Sequence, residues 1–383
     1  MQGNFNHTVA RESATGRTLL CVCPNSEHVV RAALSVFHRH RAPLLFVATL
    51  NQIDSDGGYT GWTPAIFRDL VAAEIERQEI DSPVFLCLDH GGPWKKRGHV
   101  IHVSHDECLK ATKSSIRDCI EAGYSALHLD ATGVNSQHQV RTDIAYQVDL
   151  TLHLQTFAEG LTNAPLSFEI GTRESGLEAS ALPLFKEFMG TYFDEVAARR
   201  MTLPTFCVGD AGTTSTPGPA DPDRIRQLVD IASSHRSGLK IHFADDVPNL
   251  SIFPAIGVRA ANIGPGMSAV EYAALHHLCN LDGVPQELST NLDDAIKDSL
   301  VAAGLWSDLI GSEDQTSSQP LLQQRLAYAS RYVWTAPDVA KVRAELNDAV
   351  SHQLNPDLLV QQRLEDYIAN YLIHFGYLEQ LGA

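Results

Sequence analysis

The sequence predicts an α/β protein whose strands close into a (β/α)8 TIM barrel with a C-terminal helical extension. Three observations carry that prediction. Short apolar runs alternate eight times with longer amphipathic stretches between residues 18 and 282. The short runs are apolar throughout, as in a parallel sheet covered on both faces. Several of them end in a histidine or a carboxylate, at the strand end where a barrel collects its chemistry.

Residues 18–23, TLLCVC, form the first predicted strand. Ser26 can cap a helix reaching Arg41, with Val29, Val30, Ala33, Leu34 and Phe37 on one face. Strand two is 43–49 and opens into the glycine-rich NQIDSDGGYTGWTP, where Pro64 suits the first turn of the next helix. Strand three, 83–89, ends in Asp89, and a loop and helix follow to about Ala122. Strand four is ALHLD at 126–130, with a helix reaching about Glu159. Strand five, 166–170, carries Glu169 into the loop GTRESGLEAS. Strand six is 205–208 and runs into GDAGTT, after which Asp221 can start a helix to about Arg236. Strand seven is 239–243, ending in HFADD. Strand eight is 258–263, and Gly264, Gly266 and Ser268 lead from it into the helix AVEYAALHHLCNLD. From Pro285 onward only helical patterns remain, punctuated by Pro320, Pro337 and Pro356. The expected division is a barrel over 1–284 and a helical extension packed on it over 285–383.

A chain of 383 residues suits one such barrel with an added segment. Its 44% hydrophobic and 20% charged content is that of a globular protein with a sizeable core. The net charge of -17 weighs against nucleic acid and anionic membranes as partners, while leaving an anionic substrate open to local groups. No apolar run reaches membrane-spanning length, and MQGNFNHTVARESATGR lacks the apolar centre of a signal peptide, so a cytoplasmic location is expected. The seven cysteines form no CxxC pair and read as buried thiols.

Asp89, His90, Asp130, Glu169, Asp210 and His242 all fall at predicted strand ends, which a barrel gathers on one face. Neighbouring strand residues point to opposite sides, so Asp89 can act on a substrate while His90 faces a metal. Imidazoles with carboxylates are ordinary ligands of a divalent ion, zinc first among them. The expected metal set is His90 and His242 with Glu169 or Asp210, and Asp89 and Glu169 are the expected catalytic carboxylates. Asn51, Gln52, Gly58 and Tyr59 either line a substrate pocket or simply build a tight loop. Arg173 is the nearby cation for an anionic substrate group, unless it is a surface arginine. Asp130, Asp245 and Gly264 complete the expected substrate-binding positions. No GxxxxGK[ST] loop is present to cradle nucleotide phosphates, which argues against a sugar kinase.

LDHG at residues 88–91 resembles the metal-binding motif of class II, metal-dependent ketose-bisphosphate aldolases. ATLNQIDSDGGYTGWTPAIFRDLV, LDHGGP, AGYSALHLDAT, IGTRESGLEAS and NIGPGMSAVEYAAL together resemble the tagatose-bisphosphate aldolase accessory-subunit family, as does the tail YIANYLIHFGY. The resemblance implies that Asp89 is the acid/base aspartate, His90 and His242 metal histidines, and Glu169 a glutamate beside the metal. It implies retro-aldol chemistry on a ketose or ketose phosphate, as an aldolase or a 4-epimerase. The alternative is a noncatalytic accessory subunit of a tagatose-1,6-bisphosphate aldolase. The implied partners are a small sugar or sugar phosphate, an aldolase partner subunit or a second copy of the chain. Two departures stand out. VGDAGT replaces the motif of another metal histidine, leaving Asp210 as a substitute, and FADDVPN replaces a glycine-serine phosphate loop with Asp245 and Asp246. The second departure weighs against a bisphosphate substrate.

Overall fold

A computed structural model describes residues 4–97, 104–132, 143–171, 181–213, 218–311 and 319–378. The elements run α1 (Phe5–Ala14), β1 (Leu19–Val22), α2 (Glu27–Arg39), β2 (Leu44–Thr49), α3 (Pro64–Arg77), β3 (Val84–Gly91), α4 (His105–Glu121), β4 (Ala126–Leu129), α5 (Ile144–Glu159), β5 (Ser167–Gly171), α6 (Ala181–Arg199), β6 (Phe206–Val208), α7 (Pro222–Ser234), β7 (Gly238–Ile241), α8 (Ile252–Ile256), β8 (Ala260–Ile263) and α9 (Pro265–Cys279). Five helices follow: α10 (Glu287–Ala302), α11 (Trp306–Leu309), α12 (Gln319–Ala329), α13 (Pro337–Val350) and α14 (Pro356–His374). The eight strands pair in sequence order, all parallel, and β8 closes onto β1 through Leu19 beside Ala260 and Cys21 beside Asn262. This is a (β/α)8 barrel with extra C-terminal helices.

Local chemistry starts the helices where the sequence signals stand. The Ser26 hydroxyl accepts from Val29 N–H to open α2, and Thr63 accepts from Ile66 N–H with Pro64 in the first turn of α3. Ser104 and Glu107 form a reciprocal capping box on α4, and Asp143 and Asp221 cap α5 and α7. The apolar strand runs are buried on both faces. Leu20, Val22, Leu44, Phe46, Leu86 and Leu88 belong to the large core shared with the helices, whereas Leu19, Cys21, Leu45, Val47, Phe85 and Cys87 form a separate interior cluster.

The sequence reading did not anticipate α1. Its Phe5 and Val9 join that interior cluster, with the Phe5 ring edge-on to Phe85 at 5.1 Å. Asn6 Oδ1 accepts from the hydroxyls of Ser167 at 2.8 Å and Thr205 at 2.6 Å. The helix thereby seals the N-terminal end of the barrel and leaves the other end for chemistry. Its polar pattern conceals this role, because only two apolar side chains do the sealing.

The C-terminal helices lie against the barrel helices, with α14 on α2 and α9. A buried carboxylate fastens this contact. Glu271 of α9 accepts from Ser26 Oγ at 2.7 Å and from Arg343 Nη2 of α13 at 2.9 Å, and lies 3.1 Å from His28 Nδ1. Burial pushes the Glu271 carboxyl up, but Arg343 and His28 outweigh it and bring it to about 2. Arg343→Met leaves the carboxylate with only His28 and Ser26 and should cost up to roughly 3–5 kcal/mol, read as a lower urea midpoint. The same group predicts acid lability. Its folded value is depressed from an ordinary glutamate value of about 4.3, so its contribution is complete above that pH and is lost as pH falls towards 2. Glu271→Gln should flatten the loss of stability across that window.

Candidate active site

Strand β3 runs two residues beyond the predicted end, to Gly91, and its last turn of chain builds the site. The pairing of β3 with β4 shifts register between Leu88 and Gly91, and His90 sits there with φ of 50°. That left-handed backbone is costly for a histidine and turns its side chain from the regular strand direction. The two following glycines are required by close approach. A Cβ on Gly92 would lie 1.7 Å from the Asp130 carbonyl oxygen, and one on Gly91 would lie 2.9 Å from that of His128. The glycines thus let the end of β3 press onto the end of β4, which brings His90 beside His128 and Asp130.

Asp89, His90, His128 and His242 come together at the C-terminal mouth, each offering a ligand atom within 4.8 Å of the others. The imidazole rings of His90, His128 and His242 stand 4.7–5.0 Å apart between centroids. His242 Nδ1 lies 3.3 Å from His90 Nε2 and 3.7 Å from Asp89 Oδ1. His128 Nδ1 lies 3.1 Å from Asp89 Oδ1, and Asn262 of β8 donates to Asp89 Oδ2 at 3.4 Å. Burial raises the Asp89 carboxyl, but the surrounding His242, His90 and His128 hold it well below the usual carboxylate range. Burial lowers His128 from the ordinary histidine value, against the pull of Asp89.

An outer layer of carboxylates backs the imidazoles. Asp130 Oδ2 lies 2.6 Å from His90 Nδ1 and 2.7 Å from Lys95 Nζ. Glu169 Oε2 lies 3.7 Å from His242 Nε2, and both its oxygens accept from the buried Lys240 ammonium at 2.7 Å. Burial raises Glu169, Lys240 more than offsets it, and the carboxyl falls to about 2. Histidines whose second ring nitrogen faces a carboxylate are pre-oriented to ligate a metal through the first. Three imidazoles and one carboxylate at the barrel mouth fit a divalent ion.

A family model described as D-tagatose-1,6-bisphosphate aldolase subunit GatZ/KbaZ-like matches residues 5–172, a stretch that carries Asp89, His90, His128, Asp130 and Glu169. Over that stretch, which is less than half of the chain, the sequence is similar to that family. The D-tagatose-1,6-bisphosphate aldolase subunit GatZ of Escherichia coli O1:K1 / APEC is 29% identical over 184 residues, covering 45% of this chain and 42% of that protein. The chain therefore spans less than half the length of the curated relatives it matches. Among solved structures, a probable tagatose 6 phosphate kinase from Sinorhizobium meliloti 1021 superposes with a TM-score of 0.75 at 21% identity, over 94% of this chain and 100% of that one. The fructuronate-tagaturonate epimerase UxaE from Cohnella laeviribosi, glycerol-bound, gives 0.56 at 11% identity, over 94% and 81%. The YdjI aldolase from Escherichia coli K12 gives 0.51 at 10% identity, over 90% and 96%. At these identities the superpositions speak to the fold.

The remaining sequence-predicted positions divide in two. Asp210 is held away from the histidine cluster by α7, where Arg224 Nη2 lies 3.3 Å from Oδ2 and Gly212 N–H donates to Oδ1 at 2.8 Å. Asn51 Nδ2 donates to the Lys95 carbonyl at 2.9 Å and its Oδ1 accepts from Arg97 N–H at 2.9 Å, so it props the segment that carries Lys95. Gln52 donates to Asn25 Oδ1 at 2.9 Å, Tyr59 donates to the same oxygen at 3.2 Å, and Asn25 donates to the Gly264 carbonyl at 2.7 Å. Gly58 has φ of +54°, and a Cβ there would lie 2.3 Å from the Gln52 carbonyl. These contacts stitch the loop after β2 to the start of α9. Asp245 caps that helix start through Gly264 N–H at 2.9 Å. Burial pushes Asp245 up to about 7, against the lowering effect of the Gly264 and Gly266 amides. Arg173 lies outside the described residues.

Sequence reasoning passed over His128, Lys95, Lys240 and Asn262 as site residues. For three of them a signal existed, since His128, Lys240 and Asn262 interrupt otherwise apolar strands, and a polar residue inside a buried strand needs a partner. Lys95 had no such mark, because a loop lysine is ordinary.

Proposed function

We propose that this protein carries out metal-dependent retro-aldol chemistry on a ketose or ketose phosphate of the tagatose/fructose type, as a 4-epimerase or an aldolase. The observation that carries this reading is the cluster of Asp89, His90, His128 and His242 at the barrel mouth, two of them buried and two half-buried. The three imidazoles would hold a divalent ion, zinc first among candidates, which supplies Lewis-acid polarisation of the ketose carbonyl. Asp89 carries the proton of the hydroxyl on the carbon whose bond is cut. His128 and Asn262 fix the two oxygens of that carboxylate. Asp130, itself neutralised by Lys95, orients His90, and Glu169, kept ionised by Lys240, faces His242.

The two outcomes share these residues. Departure of the aldehyde gives an aldolase, and rotation of the aldehyde followed by attack on its other face gives a 4-epimerase. The relation to a GatZ subunit and a fold common to the YdjI aldolase and the UxaE epimerase support both. Absence of a glycine-serine phosphate loop after His242 favours closed-site epimerisation of a ketose with one anionic group or none. A second reading, a noncatalytic subunit that assembles with an aldolase, draws on the name of the curated relatives. We also read residues 285–383 as an extension of the barrel unit of residues 1–284, which the packing of α14 on α2 and α9 supports.

The deciding experiment incubates metal-loaded protein with D-fructose 6-phosphate, D-tagatose 6-phosphate, their bisphosphates, free ketoses and ketouronates. Products are followed by NMR, and any triose is trapped with a coupled dehydrogenase. Inversion at C4 with little free triose is the expected result. Stoichiometric triose from a bisphosphate would replace epimerase with aldolase. Failure to turn over any ketose despite bound metal would favour the subunit reading.

A further inference from the structure

Helix α9 begins directly after β8, so its N-terminus opens at the same barrel mouth as the loop after β7. Unpaired N–H groups and the helix dipole make such an end attractive to anions. In this architecture the loops after strands seven and eight frequently bind a phosphate there. Here the position is filled from within. Asp245, on the loop after β7, is only 2% exposed. Its carboxylate accepts from Gly264 N–H at 2.9 and 3.1 Å and from Gly266 N–H at 2.6 Å. Gly264 is the cap residue of α9 and has no side chain with which to cap it. Space is equally committed. A Cβ on Gly266 would lie 1.9 Å from the Tyr367 hydroxyl and 2.8 Å from Asp245 Oδ1.

The C-terminal helices hold this arrangement in place. Asp246 has φ of 55°, a conformation that costs an aspartate energy and persists only when neighbours impose it. Its N–H donates to the Tyr371 hydroxyl at 2.8 Å, and its carboxylate accepts from Tyr367 at 3.2 Å and from Tyr328. Tyr367 and Tyr371 stand on α14 and Tyr328 on α12. Three tyrosines of the extension thus clamp the residue after Asp245 and aim the Asp245 carboxylate at the helix end.

We infer that Asp245 is a specificity-determining residue: it occupies the anion cradle at the N-terminus of α9 as a built-in carboxylate, so a substrate meets this corner with an uncharged, hydroxyl-bearing end and not a phosphate. That the substrate is a ketose rests on the function proposed above. Exclusion of phosphate does not.

Inorganic phosphate is the probe. Wild-type protein soaked in phosphate should show none on the Gly264 and Gly266 amides. Asp245→Ala frees those amides and should bind phosphate on the order of tenfold tighter than wild type, measured by calorimetry and located in a crystal soak. Asp245→Asn keeps an acceptor oxygen in the cradle and should fold like wild type while gaining no phosphate. Phosphate seated on the two amides of wild type, with Asp245 displaced, would overturn the inference. So would a folded Asp245→Ala protein that gains no phosphate affinity, and if that variant fails to fold, the wild-type soak decides alone. Phosphate occupancy is read without metal or turnover, so an inactive protein would count against the ketose reading and leave this result standing.

Discussion

Replacing His90 or His242 with alanine should abolish stoichiometric binding of a divalent metal. Each imidazole offers one nitrogen to the shared centre and turns the other to a carboxylate, His90 to Asp130 at 2.6 Å and His242 to Glu169 at 3.7 Å. Loss of an outer carboxylate partner typically weakens a metal site by about 10–100-fold, and loss of the ligand itself removes more. Elemental analysis after dialysis should therefore rank wild type above Asp130→Asn, and Asp130→Asn above either histidine variant. His128→Ala belongs with the histidine variants, because the third imidazole offers its nitrogen to the same centre. Metal retained at the wild-type level in His90→Ala and His242→Ala would refute the assignment.

Asp89→Asn should lower turnover by roughly 10²–10⁴-fold while leaving metal content at the wild-type level. The substitution keeps shape and one acceptor oxygen beside His128, and gives up the negative charge, the acceptor for Asn262 Nδ2 and the capacity to carry a proton. The paired measurement separates two roles. A loss of metal together with turnover would make Asp89 a ligand first, and full turnover would remove it from the chemistry.

The strand end that carries Asp89 and His90 was legible because a buried strand reads apolar until it emerges, and those of Glu169 and His242 because a polar residue closes a mostly apolar run. What those residues do once there was less legible. His90 lies at a register shift with left-handed backbone, so the rule that neighbours point to opposite sides of a strand does not describe it. Glu169 was expected among the metal ligands, and in the structure both its oxygens face Lys240, a residue two positions before His242 that reads as one more letter of a strand. Asp210 sits at a strand end as expected, but the Arg224 side chain reaches it from the following helix.

The sequence by itself determined the alternation of strand and helix, the helix starts marked by Ser26, Pro64 and Asp221, and the two glycines after His90, because each depends on residues a few positions apart. Tertiary structure alone decided which charges meet. Closing β8 onto β1 and setting each strand's register places Lys240 under Glu169, Asn262 beside Asp89 and His128 among the other two imidazoles. The folding of α12 and α14 over the loop after β7 likewise turns Asp245 onto the α9 amides. A buried charge takes the partner that comes within about 4 Å, and that distance is set by barrel closure and helix packing between segments far apart in the chain.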